Sequence, residues 1–436
     1  MNIREAKNQI YTAVKAYRTR NEDGSLKIPA VRQRPVFLIG APGIGKTAIV
    51  EQVARELGIG FVSYSMTHHT RQSALGLPFI REREYGGKNV RVTEYTMSEI
   101  IASIYEQIEV SGISEGILFL DEINCVSETL TPAMLQFLQY KVFGQHRVPE
   151  GWTVVTAGNP PEYNQAVREF DMVTWDRVKR IDIEPDHDVW HEWAINNNVH
   201  RSILSYLDLR PEDLYKVEMT ADGRKFVTPR GWTDLGDMIT VLEENGDPVD
   251  ADLTSQYLQD NVISRRFASY YSLWKERQRE YDVSRILDGD YDREMISRAS
   301  DGDLEERITL TNILIAGIIN ELRSVLEERA SVKSILAIAK AGTGASREDY
   351  EVKKVGYDSH RRNVSAKIEN LFGFMEEAFG DDREMLLLIT ELTADHTAAS
   401  YLGIYGSEGY NKHSRSLRFY EREQQLIREI DESNVE

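Results

Sequence analysis

The sequence predicts an α/β protein, a parallel sheet layered with helices and followed by a long helical region. Three observations carry this. Short continuous apolar runs alternate with helical patterns up to about residue 185, the arrangement that builds a parallel sheet. A glycine-rich loop joins the first of these runs to a helix. Beyond Pro185 the strand signal fades and apolar residues recur at helical spacing.

The elements follow in chain order. Ile3, Ala6, Ile10, Val14 and Tyr17 recur three and four residues apart and predict a helix over 2–18. Turn residues from Asn21 to Pro29 end that pattern. PVFLI, from Pro35, is the kind of run found in a buried parallel strand. GFVSYS around Phe61, GILFL from Gly116, WTVVTA from Trp152 and VKRIDI from Val178 are of the same type. Helical patterns separate them at Lys46 to Leu57, Ser98 to Val110 and Thr131 to Tyr140. Two hairpins interrupt the alternation, one over Phe79 to Thr96 around Gly86-Gly87, one over Lys141 to Val148 around Gly144-Gln145. Later, Ile308, Ile315, Ile319, Leu322 and Leu326 form one apolar helical stripe, and Val364, Ile368, Leu371 and Met375 another; both read as packed core. Ala341 to Asp349 reads as an exposed loop, and no long-period repeat is visible. The expected organisation is an N-terminal helix and linker (1–32), an αβα core with inserted hairpins (33–184), and two helical stretches, 185–280 and a C-terminal region 281–436.

Composition narrows the function. Of 436 residues, 28% are charged and 41% hydrophobic, ordinary for a globular protein with real cores. The net charge of −19 argues against a protein that coats nucleic acid or an anionic membrane. The one cysteine, Cys125, excludes a disulfide framework and any multi-cysteine metal site. With no apolar run near ~18 residues and no signal-peptide core at the N-terminus, a cytoplasmic protein without a membrane span is expected.

The chemistry concentrates in a few places. Gly40, Ala41, Pro42, Gly43, Ile44, Gly45, Lys46 and Thr47 fit GxxxxGK[ST] between a strand and a helix. Such a loop turns backbone N–H groups toward phosphate oxygens, and the helix N-terminus adds its positive end. Lys46 would reach the β- and γ-phosphates of ATP, and Thr47 would offer a hydroxyl to Mg²⁺. GILFLDEIN ends a buried strand with Asp121 and Glu122, where open α/β sheets bind ligands. Asp121 would join the Mg²⁺ shell, and Glu122 would polarise the attacking water. TAGNP brings Asn159 to the next strand tip, where an amide can hold that water or touch the γ-phosphate. Arg177 and Arg180 in WDRVKR are candidate cations for the γ-phosphate. Arg230 in TPRGW either folds back onto the nucleotide or solvates a helix start. HDVWH, from His187, spaces two histidines as in the zincin pattern but has Asp188 where that pattern needs Glu, and is expected to pack a helix through Trp190. DGDYD, from Asp288, fails as a calcium loop because Arg293 and Ala299 stand where Gly and Glu are required.

In this order, these elements resemble the AAA+ ATPases. DEIN, the DR pair of WDRV, PRGW and GLPFI (from Gly76) are similar to the MoxR and NorQ/CbbQ branch, and the resemblance covers about Val31 to Trp274. It implies a five-stranded αβα core with a helical lid, assembled as a homo-oligomeric, hexameric ring. By the same resemblance Asn159 is sensor 1, Arg230 is sensor 2 and Arg177 is an arginine finger acting on the next subunit's ATP. Val178 stands where the branch usually has an aromatic residue, which keeps Arg180 open as the alternative. Whether Arg230 acts in cis or in trans also stays open. Both hairpins would project toward the central pore. The implied activity is ATP hydrolysis that remodels or activates a protein partner, with VWA-domain proteins among those the branch serves. The competing reading on the same core is a nucleic-acid motor or clamp loader, against which the charge weighs.

Overall fold

The computed structural model describes residues 1–163, 170–220, 223–341, 347–380 and 383–415. The chain divides into two compact units, Met1–Val189 and Trp190–Glu436.

The first unit is an α/β sandwich. It opens with α1 (Ile3–Tyr17), started by a capping box in which Asn2 and Glu5 satisfy each other's backbone N–H. Its buried stripe is Ala6, Ile10, Ala13 and Val14, as the periodicity predicts. Then follow β1 (Val36–Gly40), α2 (Lys46–Leu57), β2 (Gly60–Ser65) and α3 (Arg71–Leu75). The hairpin β3 (Pro78–Tyr85) and β4 (Lys88–Tyr95) precedes α4 (Glu99–Ser111) and β5 (Gly116–Asp121). After α5 (Thr131–Tyr140) come the two-residue arms β6 (Val142–Phe143) and β7 (His146–Arg147), then β8 (Trp152–Gly158), α6 (Met172–Trp175) and β9 (Lys179–Ile183).

Five strands form one sheet in the order β2-β5-β8-β1-β9, with every pairing parallel. The α/β reading and the five-stranded sheet expected from the resemblance are both found. β1 and β8 are buried along their whole length, which is why they read as unbroken apolar runs. A core of Phe37, Leu118, Leu120, Ile100, Ile104 and Phe137 packs the sheet against its helices. Because all five strands run the same way, their C-terminal residues meet at one edge: Ser65 pairs with Asp121, Leu120 with Thr156, and Ile39 with Gly158. β3 and β4 stand outside the sheet and pair only with each other, with Ile80 72% and Tyr85 56% exposed.

α7 (His187–Asn196) runs across the division between the units. The second unit continues with α8 (Arg201–Leu209), β10 (Lys216–Thr220), β11 (Gly223–Val227), α9 (Pro229–Asn245), α10 (Ala251–Tyr257), α11 (Asn261–Glu280), α12 (Val283–Leu287) and α13 (Arg293–Asp301). Then come α14 (Leu304–Ala341), α15 (Arg347–Phe379), α16 (Arg383–Ala394) and α17 (His396–Tyr405), and the described residues close in helix over 408–415. The antiparallel pair β10–β11 corrects the expectation of helices alone beyond residue 185. Its arms are short and half polar, so no apolar run announces them. The expected loop over 341–349 is also corrected: Ala341 ends α14 and Arg347 to Asp349 open α15, while 342–346 lie outside the described residues.

Two hydrophobic cores fill this unit. Trp190, Tyr206, Trp232, Phe267 and Trp274 centre the first, and Leu314, Ile318, Leu322, Ile368 and Phe372 the second. α14 serves both, placing Ile313 in the first core and Leu314 and Ile315 in the second. Buried polar bonds stitch it to the first core: Tyr270 Oη lies 2.6 Å from Ser205 Oγ and 3.0 Å from Thr309 Oγ1, and Asn312 Nδ2 donates to Asp208 at 3.1 Å. By length and composition α14 could cross a membrane, but 67% of its most apolar window is buried inside this unit. A charged seam runs beside it. His191 lies 2.9 Å from Asp208 and 3.5 Å from Glu391, and Arg201 pairs with Glu391 and Asp395.

Candidate active site

The site lies in the first unit, along the edge where the strands end. Gly45 caps α2 with φ 92°, a left-handed backbone that strains any residue with a Cβ. No side chain caps the helix start, so its first N–H groups face the loop. Such groups, with the helix dipole, suit a phosphate.

Lys46 is 8% exposed and folds back over its own loop. Its Nζ donates to the carbonyls of Gly40 and Ala41, both at 2.8 Å, and to Asn159 Oδ1 at 2.9 Å. Those three acceptors match the three donors of an ammonium group. Thr47 Oγ1 donates to Asp121 Oδ2 at 3.0 Å. A hydroxyl and a carboxylate oxygen at that spacing are hard donors separated like neighbouring ligands of an octahedral Mg²⁺, about 3.0 Å for bonds of about 2.1 Å. The pair therefore fits the ion that a nucleotide triphosphate brings.

Glu122 sits at φ 55°, outside the usual range for its residue type. Its N–H donates to Asp121 Oδ1 at 2.8 Å, and its carbonyl accepts from the Cys125 N–H at 2.9 Å. The turn thus tightens directly after the strand and throws the side chain toward the end of β2. There Ser65 Oγ donates to Glu122 Oε2 at 2.8 Å and Thr67 Oγ1 at 3.0 Å. On the far side, Asn124 Nδ2 donates to the Asn159 carbonyl at 2.8 Å.

Lys46, Thr47, Asp121, Glu122 and Asn159 thus gather on neighbouring strand and helix ends. Sequence reasoning missed Ser65, Thr67 and the bond made by Asn124. Ser65 was legible in principle, because parallel strands finish at a common edge and the last residue of GFVSYS must then stand beside Asp121.

The arginines are placed differently. Arg180, on β9, is tied within its own unit: Nε and Nη2 donate to Asp182 at 2.9 and 2.8 Å, and the guanidinium lies 4.7 Å over the Trp175 ring. With Trp175, Asn124, Asn159, Gly40 and Ala41 it lines a cavity of about 570 Å³. Arg177 is half-buried in the turn before β9, near Asp171. Among the described residues its side chain makes no hydrogen bond or ion pair. Arg230 belongs to the second unit, exposed in the first turn of α9, which Thr228 caps.

Residues 36–173 match the family model described as ATPase family associated with various cellular activities (AAA). The matched stretch holds the loop, the carboxylate pair and Asn159, and stops short of Arg177 and Arg230. It supports an ATPase of the AAA type, with nucleotide binding and, as a rule, Mg²⁺. No curated protein matches the chain.

Proposed function

We propose that this chain is a MoxR-like AAA+ ATPase that hydrolyses ATP in a ring of like subunits, hexameric by the family resemblance, to remodel or activate a protein partner. The observation that supports it best is the hydrogen-bonded set joining Lys46, Asn159, Thr47 and Asp121, with Glu122 one residue on.

Each residue has a chemical task in this reading. The loop N–H groups and the start of α2 bind the phosphates. Lys46 gives up the carbonyls of Gly40 and Ala41 for phosphate oxygens, exchanging neutral acceptors for charged ones. Thr47 and Asp121 would hold Mg²⁺, which when bound would supply positive charge to offset that of the phosphates. Glu122 accepts a proton from water as its oxygen bonds the γ-phosphorus and the bond to the ADP oxygen breaks. Asn159 orients that water or the γ-phosphate. Residues 185–280 read as the lid carrying Arg230, and Arg177 as the finger for a neighbour's ATP. Arg180 is the weaker candidate because Asp182 and Trp175 already hold it. The β3–β4 hairpin reads as the partner-contacting element, with VWA-domain proteins the first partners to test.

Two variants test the reading through nucleotide binding and phosphate release. Lys46→Ala removes a contact made in ground and transition states alike, so binding and turnover fall together. Glu122→Gln keeps ATP binding and abolishes turnover. Hydrolysis by Glu122→Gln at the wild-type rate refutes the role given to Glu122.

A further inference from the structure

Asn124 has no task in that account, yet its surroundings are specific. It is 8% exposed and stands two residues beyond Glu122. Its amide nitrogen must be the atom that faces the Asn159 carbonyl, because an amide oxygen there would oppose lone pair to lone pair. Its other face lies against the end of β8. A Cβ on Gly158 would stand 2.3 Å from Asn124 Oδ1 and 2.7 Å from Cγ. Gly158 does not have a positive φ, so glycine is required there for space and not for conformation. The end of β8 is therefore held between β1, through the Ile39–Gly158 pairing, and the Asn124 amide.

We propose that Asn124 is a positioning residue for hydrolysis: it fixes the backbone from which Asn159 extends, and ties Asn159 to the turn that carries Glu122. The proposal rests on the ATPase reading above. Glu122 and Asn159 each follow the end of a different strand, β5 and β8, and a shift of either against the other would spoil a shared water or phosphate position. Misplacement by about 1 Å costs on the order of 10²-fold in rate. One side chain hydrogen-bonded across the gap removes that freedom. Asn159 works at the γ-phosphate end, so loss of the tie lowers turnover and spares ADP.

Asn124→Leu keeps the size and deletes the N–H without adding a charge. Turnover should fall at least tenfold, while the ADP dissociation constant stays within twofold of wild type. A parallel loss of ADP affinity and turnover means a merely structural role and overturns the proposal. So does full turnover in Asn124→Leu while the wild type is active and Glu122→Gln is dead, an outcome that leaves the ATPase reading standing. If the wild type hydrolyses no ATP, both fall together. A second measurement uses no ATP chemistry: melting temperatures of Gly158→Ala, Asn124→Ala and the double variant. The added methyl has room only once the amide is gone, so the double variant should melt well above the sum of the single losses. Additive losses overturn the contact on which the proposal stands.

Discussion

Lys141 should make the first unit more stable as the solution becomes alkaline. It is 5% exposed at the end of α5, with φ 54°. Its Nζ donates to the carbonyls of Ala30 and, at 2.6 Å, Gln33. Burial, and then the charge of Arg147, push its pKa from the ordinary 10.5 down to about 8. The unfolded chain then binds a proton that the folded chain has released over that window, so stability rises with pH between about 8 and 10.5. At about 1.36 kcal/mol per pH unit the ceiling is about 3 kcal/mol, of which about 2 kcal/mol develops between pH 7 and 9.5. The neutral amine loses no bond, because its two remaining N–H groups still serve two carbonyls. Lys141→Met removes the titration and strands both carbonyls, a constant cost at every pH. Equilibrium denaturation of the full-length wild type and variant, at steps from pH 7 to 9.5, separates the two effects because all other groups cancel in the difference. The gap, taken as wild-type minus variant stability, should rise by about 2 kcal/mol toward alkaline pH. A gap that stays level refutes the argument, and one that falls reverses its sign.

Other expectations concern the second unit, the ring and the hairpin. Burial opposes charge on His191, but Asp208 and Glu391 outweigh it and raise its pKa. The stability it contributes is full below its ordinary 6.5 and lost as pH rises through the raised value, so His191→Gln should flatten the fall in melting temperature of the second unit above that pH. Arg177→Ala should remove most ATPase activity, since an arginine finger is worth on the order of 10³–10⁵ in rate. Mixing it with Glu122→Gln subunits should restore some, because certain interfaces regain both groups. No recovery in mixed rings, seen by phosphate release, moves the finger to Arg180. Tyr85→Ala at the hairpin tip should leave melting temperature and basal turnover unchanged and weaken partner-stimulated turnover; unchanged stimulation makes the hairpin a structural insert.

What could be read from the sequence follows from how local each feature is. β1, β5 and β8 are buried on both faces and spell themselves as apolar runs. The phosphate loop and the Asp121-Glu122 pair are contiguous, so spacing alone locates them. Ser65 and Thr67 look like ordinary strand and turn hydroxyls, and only the β2–β5 register turns them toward Glu122. Asn124 was visible within DEIN, but its partner is 35 residues away. Lys141 is the extreme case. A lysine between a helix and a hairpin reads as solvated, and its carbonyl partners are 111 and 108 residues distant. Arms such as KVEMT and GRKFV become strands by pairing with each other, which no run of residues encodes.

The double allegiance of α14 bears on how the second unit comes apart. A helix that gives Ile313 to one core and Leu314 and Ile315 to the other cannot leave either without opening both. The bonds from Tyr270 to Thr309 and from Asp208 to Asn312 extend the dependence to α8 and α11. Amide exchange across Trp232, Phe267, Ile313 and Leu322 should therefore occur in one cooperative opening. The lid read from residues 185–280 is in this sense not a module: cut after Glu280, it would lose the helix that closes its core, expose apolar surface and aggregate. A substitution that loosens the buried residues of α14 should therefore destabilise the core around Trp232 and Phe267 as well as its own.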